Sequence, residues 1–112
     1  MPSYNRTDRI SEEIQKALAE IIRELKDPRI PVMTSVISVD VTKDLSSAKV
    51  YISVYGDDEK QKKALAALKG ASGFIRGEVG RKVKLRAVPE FSFEADHSIE
   101  YGSHINEILK NL

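Results

Sequence analysis

Cysteine is absent from the 112 residues, so disulfide scaffolds, thiol nucleophiles and thiolate metal sites are excluded, and a reducing cytosol suits the chain. Histidine is scarce, with His97 and His104 the only two. They stand beside Ser98 and Ser103, but adjacency in sequence does not build a catalytic triad, whose members converge in space, and no glycine-flanked nucleophile accompanies them. There is no His-x-x-x-His or paired-carboxylate spacing for a metal, no Walker loop and no dinucleotide fingerprint. No enzyme, cofactor or small-molecule substrate is expected. Long apolar runs are missing too. Nothing approaches the roughly 20 residues that span a bilayer, and the opening Met-Pro-Ser-Tyr-Asn-Arg is polar, unlike a secretory signal. A soluble, cytoplasmic protein is expected. With no repeat, linker or low-complexity tract, residues 1–112 are expected to form a single domain that buries roughly two-thirds of its unfolded surface.

What the chain does have is charge, unevenly placed. The formal net charge is only +1, yet residues 60–86 hold nine Lys/Arg against Glu78 alone, while residues 1–59 carry 8 basic and 11 acidic side chains and residues 87–112 carry 1 and 5. A basic block between acidic flanks is the pattern of a polyanion-binding face on an otherwise neutral protein, or of a solvated helix surface.

Hydrophobic periodicity gives the order of elements. Between Arg9 and Lys26, Ile10, Ile14, Ala17, Leu18, Ile21, Ile22 and Leu25 form a 3.6-residue stripe, which predicts an amphipathic helix. Asp27-Pro28 should end it, since the residue before proline is pushed out of the α region. From Val32 to Thr42, Met33, Ser35, Ile37, Val39 and Val41 alternate with more polar neighbours, and Ala48, Val50, Ile52 and Val54 alternate likewise after the Lys43–Ser46 turn. These spacings predict an antiparallel hairpin. Asp57 and Asp58 then supply carboxylates to the start of a helix running to about Lys69. Ala64, Leu65 and Leu68 before Gly70-Ala71-Ser72-Gly73, and Phe74, Ile75 and Val79 after it, read as one amphipathic pattern interrupted by a break. Leu85–Glu94 is predicted as a third strand, at an edge or with a bulge because of Pro89, and parallel to its partner because helices intervene. Ile105, Ile108, Leu109 and Leu112 predict a short C-terminal helix. The fold class is therefore α+β: helix, strand, strand, broken helix, strand, helix, with one three-stranded mixed sheet covered by helices on one face.

The helix–break–helix element has the parts of a nucleic-acid contact. A glycine turn admits phosphate to the backbone, and the following helix offers unpaired N–H groups and a positive dipole end. Lys69 and Arg76 flank the break, and Gly70-Ala71-Ser72-Gly73 matches the Gly-x-x-Gly string with which KH domains clamp about four nucleotides. Arg6 and Arg9, cations at a helix N-terminus, are secondary candidates, and Tyr51 and Tyr55 could stack on bases.

Several ordered segments carry a closer likeness: Lys26-Asp27-Pro28-Arg29-Ile30, Asp44-Leu45-Ser46 followed by Ala48–Val54, Ala71-Ser72-Gly73-Phe74-Ile75-Arg76, Leu85-Arg86 with Pro89–Phe93, and Asp96 with Ser98. Through them the chain resembles the bacterial ribosome-binding factor A family, small assembly factors of the 30S subunit. The resemblance implies a type II KH-like fold whose interhelical turn is an Ala-x-Gly kink, here Ala71-Ser72-Gly73, with Gly70 incidental. It also implies a non-catalytic, monomeric factor that binds 16S rRNA in the free 30S subunit, assists maturation of the 16S 5′ end, supports growth in the cold and leaves before translation. On this reading Lys69, Arg76, Arg81, Lys82, Lys84 and Arg86 contact phosphate, while Ala71, Ser72 and Gly73 shape the approach. The alternative is a protein–protein adaptor that turns the same basic face to an acidic partner.

Overall fold

The computed structural model describes residues 6–31 and 33–96. The expected C-terminal helix and both histidines lie outside the described residues. The first helix, α1 (Arg6–Glu24), buries Ile10, Ile14, Ala17, Leu18, Ile21 and Ile22, the predicted stripe, each large aliphatic contributing about 1.5–3 kcal/mol by leaving water. The helix stops short of Pro28, and the Asp27 carboxylate closes the turn by accepting from the Arg29 backbone N–H at 2.9 Å, its Nε at 3.1 Å and its Nη2 at 2.8 Å. Those bonds, the side-chain ones first, draw the Asp27 carboxyl down to about 2.

Strands β1 (Thr34–Val41) and β2 (Ser47–Val54) form the predicted antiparallel hairpin. Its turn is tied by Asp44, whose carboxylate accepts from Thr42 Oγ1 at 2.8 Å, Ser46 Oγ at 2.7 Å and the Ser46 N–H at 3.1 Å. Leu45 adopts a left-handed φ of 61° there, which costs about 1–2 kcal/mol for a residue with a β-carbon. Its side chain packs partly against the core, which offsets that strain.

One expectation fails in β1. The alternation puts Met33, Ser35 and Ile37 on one face with Val39 and Val41, but the register slips between Val36 and Ser38. The extra residue of this bulge reverses the alternation: Val36 packs against the core and Val39 and Val41 are buried, whereas Met33 is 69% exposed and Ile37 is 42% exposed. Gln15 of α1 reaches this place, its Nε2 donating to the carbonyls of Val36 at 3.3 Å and Ile37 at 3.2 Å.

β2 is central in the order β1-β2-β3, and its inner residues Ala48, Val50, Ile52 and Val54 are all buried. The last strand, β3 (Glu90–Ala95), runs parallel to β2 on the far edge, with Ser47 opposite Glu90 and Ile52 opposite Ala95. It is shorter than predicted. Pro89 sits just before it, fully buried, so its missing N–H removes no rung of the ladder. Phe91 and Phe93 both face inward, with ring centroids 6.4 Å apart.

Between β2 and β3 the chain makes α2 (Asp58–Gly70) and α3 (Ser72–Lys82). The helices cover one face of the sheet: α1 lies on β1 and against α3, and α2 lies on β3. One hydrophobic core joins all six elements.

Candidate nucleic-acid interface

The start of α2 follows from two residues. Gly56 turns the chain with φ +140°, a value side chains rarely tolerate. Asp57 then caps the helix, its carboxylate accepting from the Lys60 N–H at 2.9 Å. Ala64, Ala67 and Leu68 turn inward, leaving the lysines of this helix in solvent.

The break is where the sequence places it, but its hinge is Ala71 rather than a glycine. Ala71 has φ −94° and ψ 7°, in the bridge region. Its N–H donates to Ala67 O at 3.0 Å and Leu68 O at 3.2 Å, and the ladder resumes with the Ile75 N–H on Ala71 O at 2.9 Å. The N-cap position of the new helix is Ala71, whose side chain makes no capping hydrogen bond to the first turn. Gly70 and Gly73 have ordinary backbone angles, and a β-carbon added at Gly70, Gly73 or Gly77 would meet nothing within 4 Å. Gly80 differs, since its β-carbon would lie 3.1 Å from a Val88 methyl. That glycine allows α3 to lie close to the loop before β3.

The other departure concerns Phe74. The periodicity assigns it to the apolar stripe with Ile75 and Val79. Ile75 and Val79 are fully buried, but Phe74 is 59% exposed. A stricter reading of the spacing shows why, because steps of three and four residues from Leu68 pass through Ala71 to Ile75 and Val79 and bypass residue 74.

All six predicted cations, Lys69, Arg76, Arg81, Lys82, Lys84 and Arg86, are exposed, as is Gly73, with Ala71 and Ser72 half-buried beside it. They are not equally free. The Arg76 guanidinium donates to the Val88 carbonyl from Nε at 3.1 Å and Nη2 at 2.8 Å, so it ties α3 to the chain entering β3. Arg81 pairs with Glu78 at 3.0 Å, and Lys82 reaches Glu20 of α1 at 3.3 Å. Lys84 lines the same depression as Lys82 and the α1 residues Glu13 and Glu20. The basic block therefore meets acids that sequence counting assigns to another segment. Among the described residues, Lys69, Lys84 and Arg86 have no ion-pair partner. Surface pairs such as Arg81–Glu78 are worth at most about 1 kcal/mol, so phosphate competes for those cations readily.

The remaining candidates lie elsewhere. Arg6 and Arg9 stand at the exposed start of α1. Tyr51 is half-buried opposite Glu94 of β3, and Tyr55, 75% exposed, borders a groove with Met33, Gln61 and Asp96. Carboxylates beside both rings disfavour a polyanion there. Among the described residues no cluster of three His, Cys, Asp or Glu could hold a metal, and no helix is long and apolar enough to cross a membrane.

Comparison with known proteins agrees with this architecture. The family model described as ribosome-binding factor A matches residues 6–109. Ribosome-binding factor A of Caldanaerobacter subterraneus subsp. tengcongensis is 52% identical over 108 residues, 96% of this chain and 88% of that protein. The crystal structure of ribosome-binding factor A from Thermus thermophilus superposes with a TM-score of 0.74 at 29% identity, covering 82% of this chain and 97% of that one. Homology-model coordinates of the Thermus thermophilus factor, fitted into a cryo-EM map of a 30S complex, superpose with a TM-score of 0.66 at 31% identity, covering 78% and 91%. The shared architecture, a three-stranded mixed sheet with a kinked helix pair between its second and third strands, is KH-like. On these matches, which span nearly its whole length, the chain belongs to the ribosome-binding factor A family.

Proposed function

We propose that this protein is a non-catalytic, cytoplasmic assembly factor that binds the free 30S subunit as a monomer, through 16S rRNA, and assists maturation of the 16S 5′ end, with a role in growth in the cold. Family membership supports the ribosomal assignment, and a 30S complex of a structural relative supports the partner. The observation that carries the RNA reading is the row of exposed cations running from Lys69, before the α2–α3 kink, to Lys84 and Arg86, beyond the end of α3; these three have no ion-pair partner among the described residues. Lys69 precedes the uncapped helix start, and Arg81, Lys82, Lys84 and Arg86 continue the positive potential to the end of α3 and beyond. Phosphate is the ligand that such donors and charges select.

Co-sedimentation with free 30S subunits tests this. If about six phosphates are neutralised, affinity should fall about a thousandfold between roughly 50 and 200 mM salt. Charge reversal at Lys84 and Arg86 should flatten that dependence while leaving the unfolding midpoint nearly unchanged. A salt-insensitive interaction, or one that survives reversal at both positions together with Lys69, removes the RNA reading. Precursor 16S rRNA should accumulate, and growth at low temperature should slow, in cells whose only copy carries the reversed residues.

A further inference from the structure

Phe74 is the one aromatic side chain of α3, and it is 59% exposed in the segment, residues 60–86, that carries nine Lys/Arg. Three and four residues further along the helix its surface neighbours are Gly77 and the half-buried Glu78. Gly73 and Gly77 flank it on the same face, a turn apart, and neither is required by internal packing, since a methyl group at either would touch nothing within 4 Å. Glycine in a helix interior costs about 1 kcal/mol relative to alanine. At Gly80 the nearby Val88 methyl accounts for that cost. At Gly73 and Gly77 no packing contact accounts for it. The surrounding charge selects its sign: Lys69 lies just before the kink, Arg81 follows one turn after Gly77, and the sole carboxylate between residues 60 and 86, Glu78, is already held by Arg81 at 3.0 Å.

Resting on the RNA reading above, we propose that Phe74 is a stacking platform for one unpaired base, the adjoining sugar-phosphate passing over the bare backbone at Gly73 and Gly77 toward Lys69 and Arg81. Stacking on a side chain requires a free base face, which the interior of a duplex does not present. The ligand class is therefore a single-stranded stretch of ribosomal RNA rather than a helix. Tyr51 is the weaker candidate for this role, because it is half-buried opposite Glu94.

The chain contains no tryptophan, so Phe74→Trp places a unique fluorophore at the site and keeps a ring for stacking. Its emission should be quenched by a ten-nucleotide single-stranded oligoadenylate, and by free 30S subunits, but not by a blunt RNA duplex. Phe74→Leu should weaken binding to free 30S subunits roughly tenfold or more, since stacking is worth about 1–3 kcal/mol per base. Its salt dependence should match that of the unmodified protein because no phosphate contact is lost, and Phe74→Trp should restore affinity. Quenching by subunits but not by the naked single strand would place a ribosomal protein on this ring and overturn the proposal, as would equal quenching by duplex. If Phe74→Leu binds subunits as tightly as the unmodified protein, base stacking is refuted while the salt-dependent RNA reading stands. If the unmodified protein does not bind free subunits at all, both fall.

Discussion

Replacing Gly77 by alanine should make the protein more stable and a poorer ligand of the 30S subunit. Gly77 lies in the interior of α3, and a β-carbon there meets nothing within 4 Å. No steric term therefore opposes the gain in helix propensity, about 1 kcal/mol, much of which comes from restricting the unfolded chain. For a domain of this size that raises the melting temperature by about 4 °C. Gly73→Ala should add somewhat less, because it stands in the first turn of α3. Circular dichroism at 222 nm during thermal unfolding measures both. Gly56→Ala is the internal control and should melt lower, since φ there is +140° and the new methyl would lie 2.7 Å from Lys60 Cδ. Co-sedimentation of the Gly73→Ala, Gly77→Ala double variant with free 30S subunits should show weaker binding than the parent. A lower melting temperature for Gly77→Ala would refute the reasoning, because it would mean that the fold itself requires a glycine at that place.

Arg76→Ala should lower the urea midpoint by an amount equivalent to about 1–2 kcal/mol, because it removes both hydrogen bonds to Val88 O that tie α3 to β3; an unchanged midpoint would return Arg76 to the set of free cations. Asp57→Ala should destabilise by about 1 kcal/mol, the usual value of an N-cap, and Asp57→Asn should recover most of it, since the bond to the Lys60 N–H needs only a side-chain oxygen. The Asp27–Arg29 clasp makes stability depend on acid. The folded pKa of about 2 lies below the ordinary 3.8, so the stabilisation is full above about 3.8 and is lost as pH falls toward 2 and below. Urea midpoints between pH 5 and pH 2 should fall more steeply for the parent than for Asp27→Asn, and parallel curves would show that the clasp does not hold in solution.

Periodicity and punctuation, which are local, are enough for most of the fold. The α1 stripe, the alternation in β2, the Lys43–Ser46 turn, the carboxylates at the start of α2 and a break within Gly70–Gly73 all depend on residues within a few positions of one another, and each stands where the sequence puts it. The bulge in β1 is not legible, because Thr34–Val41 alternates well enough in either phase and only pairing with β2 selects the slip that turns Ile37 outward. Nor can residue order show how the cations are spent. Lys82 meets Glu20 from 62 positions away, and Arg76 is held by a carbonyl of the loop that returns to the sheet. The apolar spacing read across the break assigns Phe74 to the core, yet the helical phase carried through Ala71 gives the inward place to Ile75. The sequence by itself determined the order of the six described elements, the family and the segment that carries the positive charge. Tertiary structure decided which cations remain unpaired and which aromatic ring faces solvent, because both depend on what packs beside a residue rather than on what precedes it in the chain.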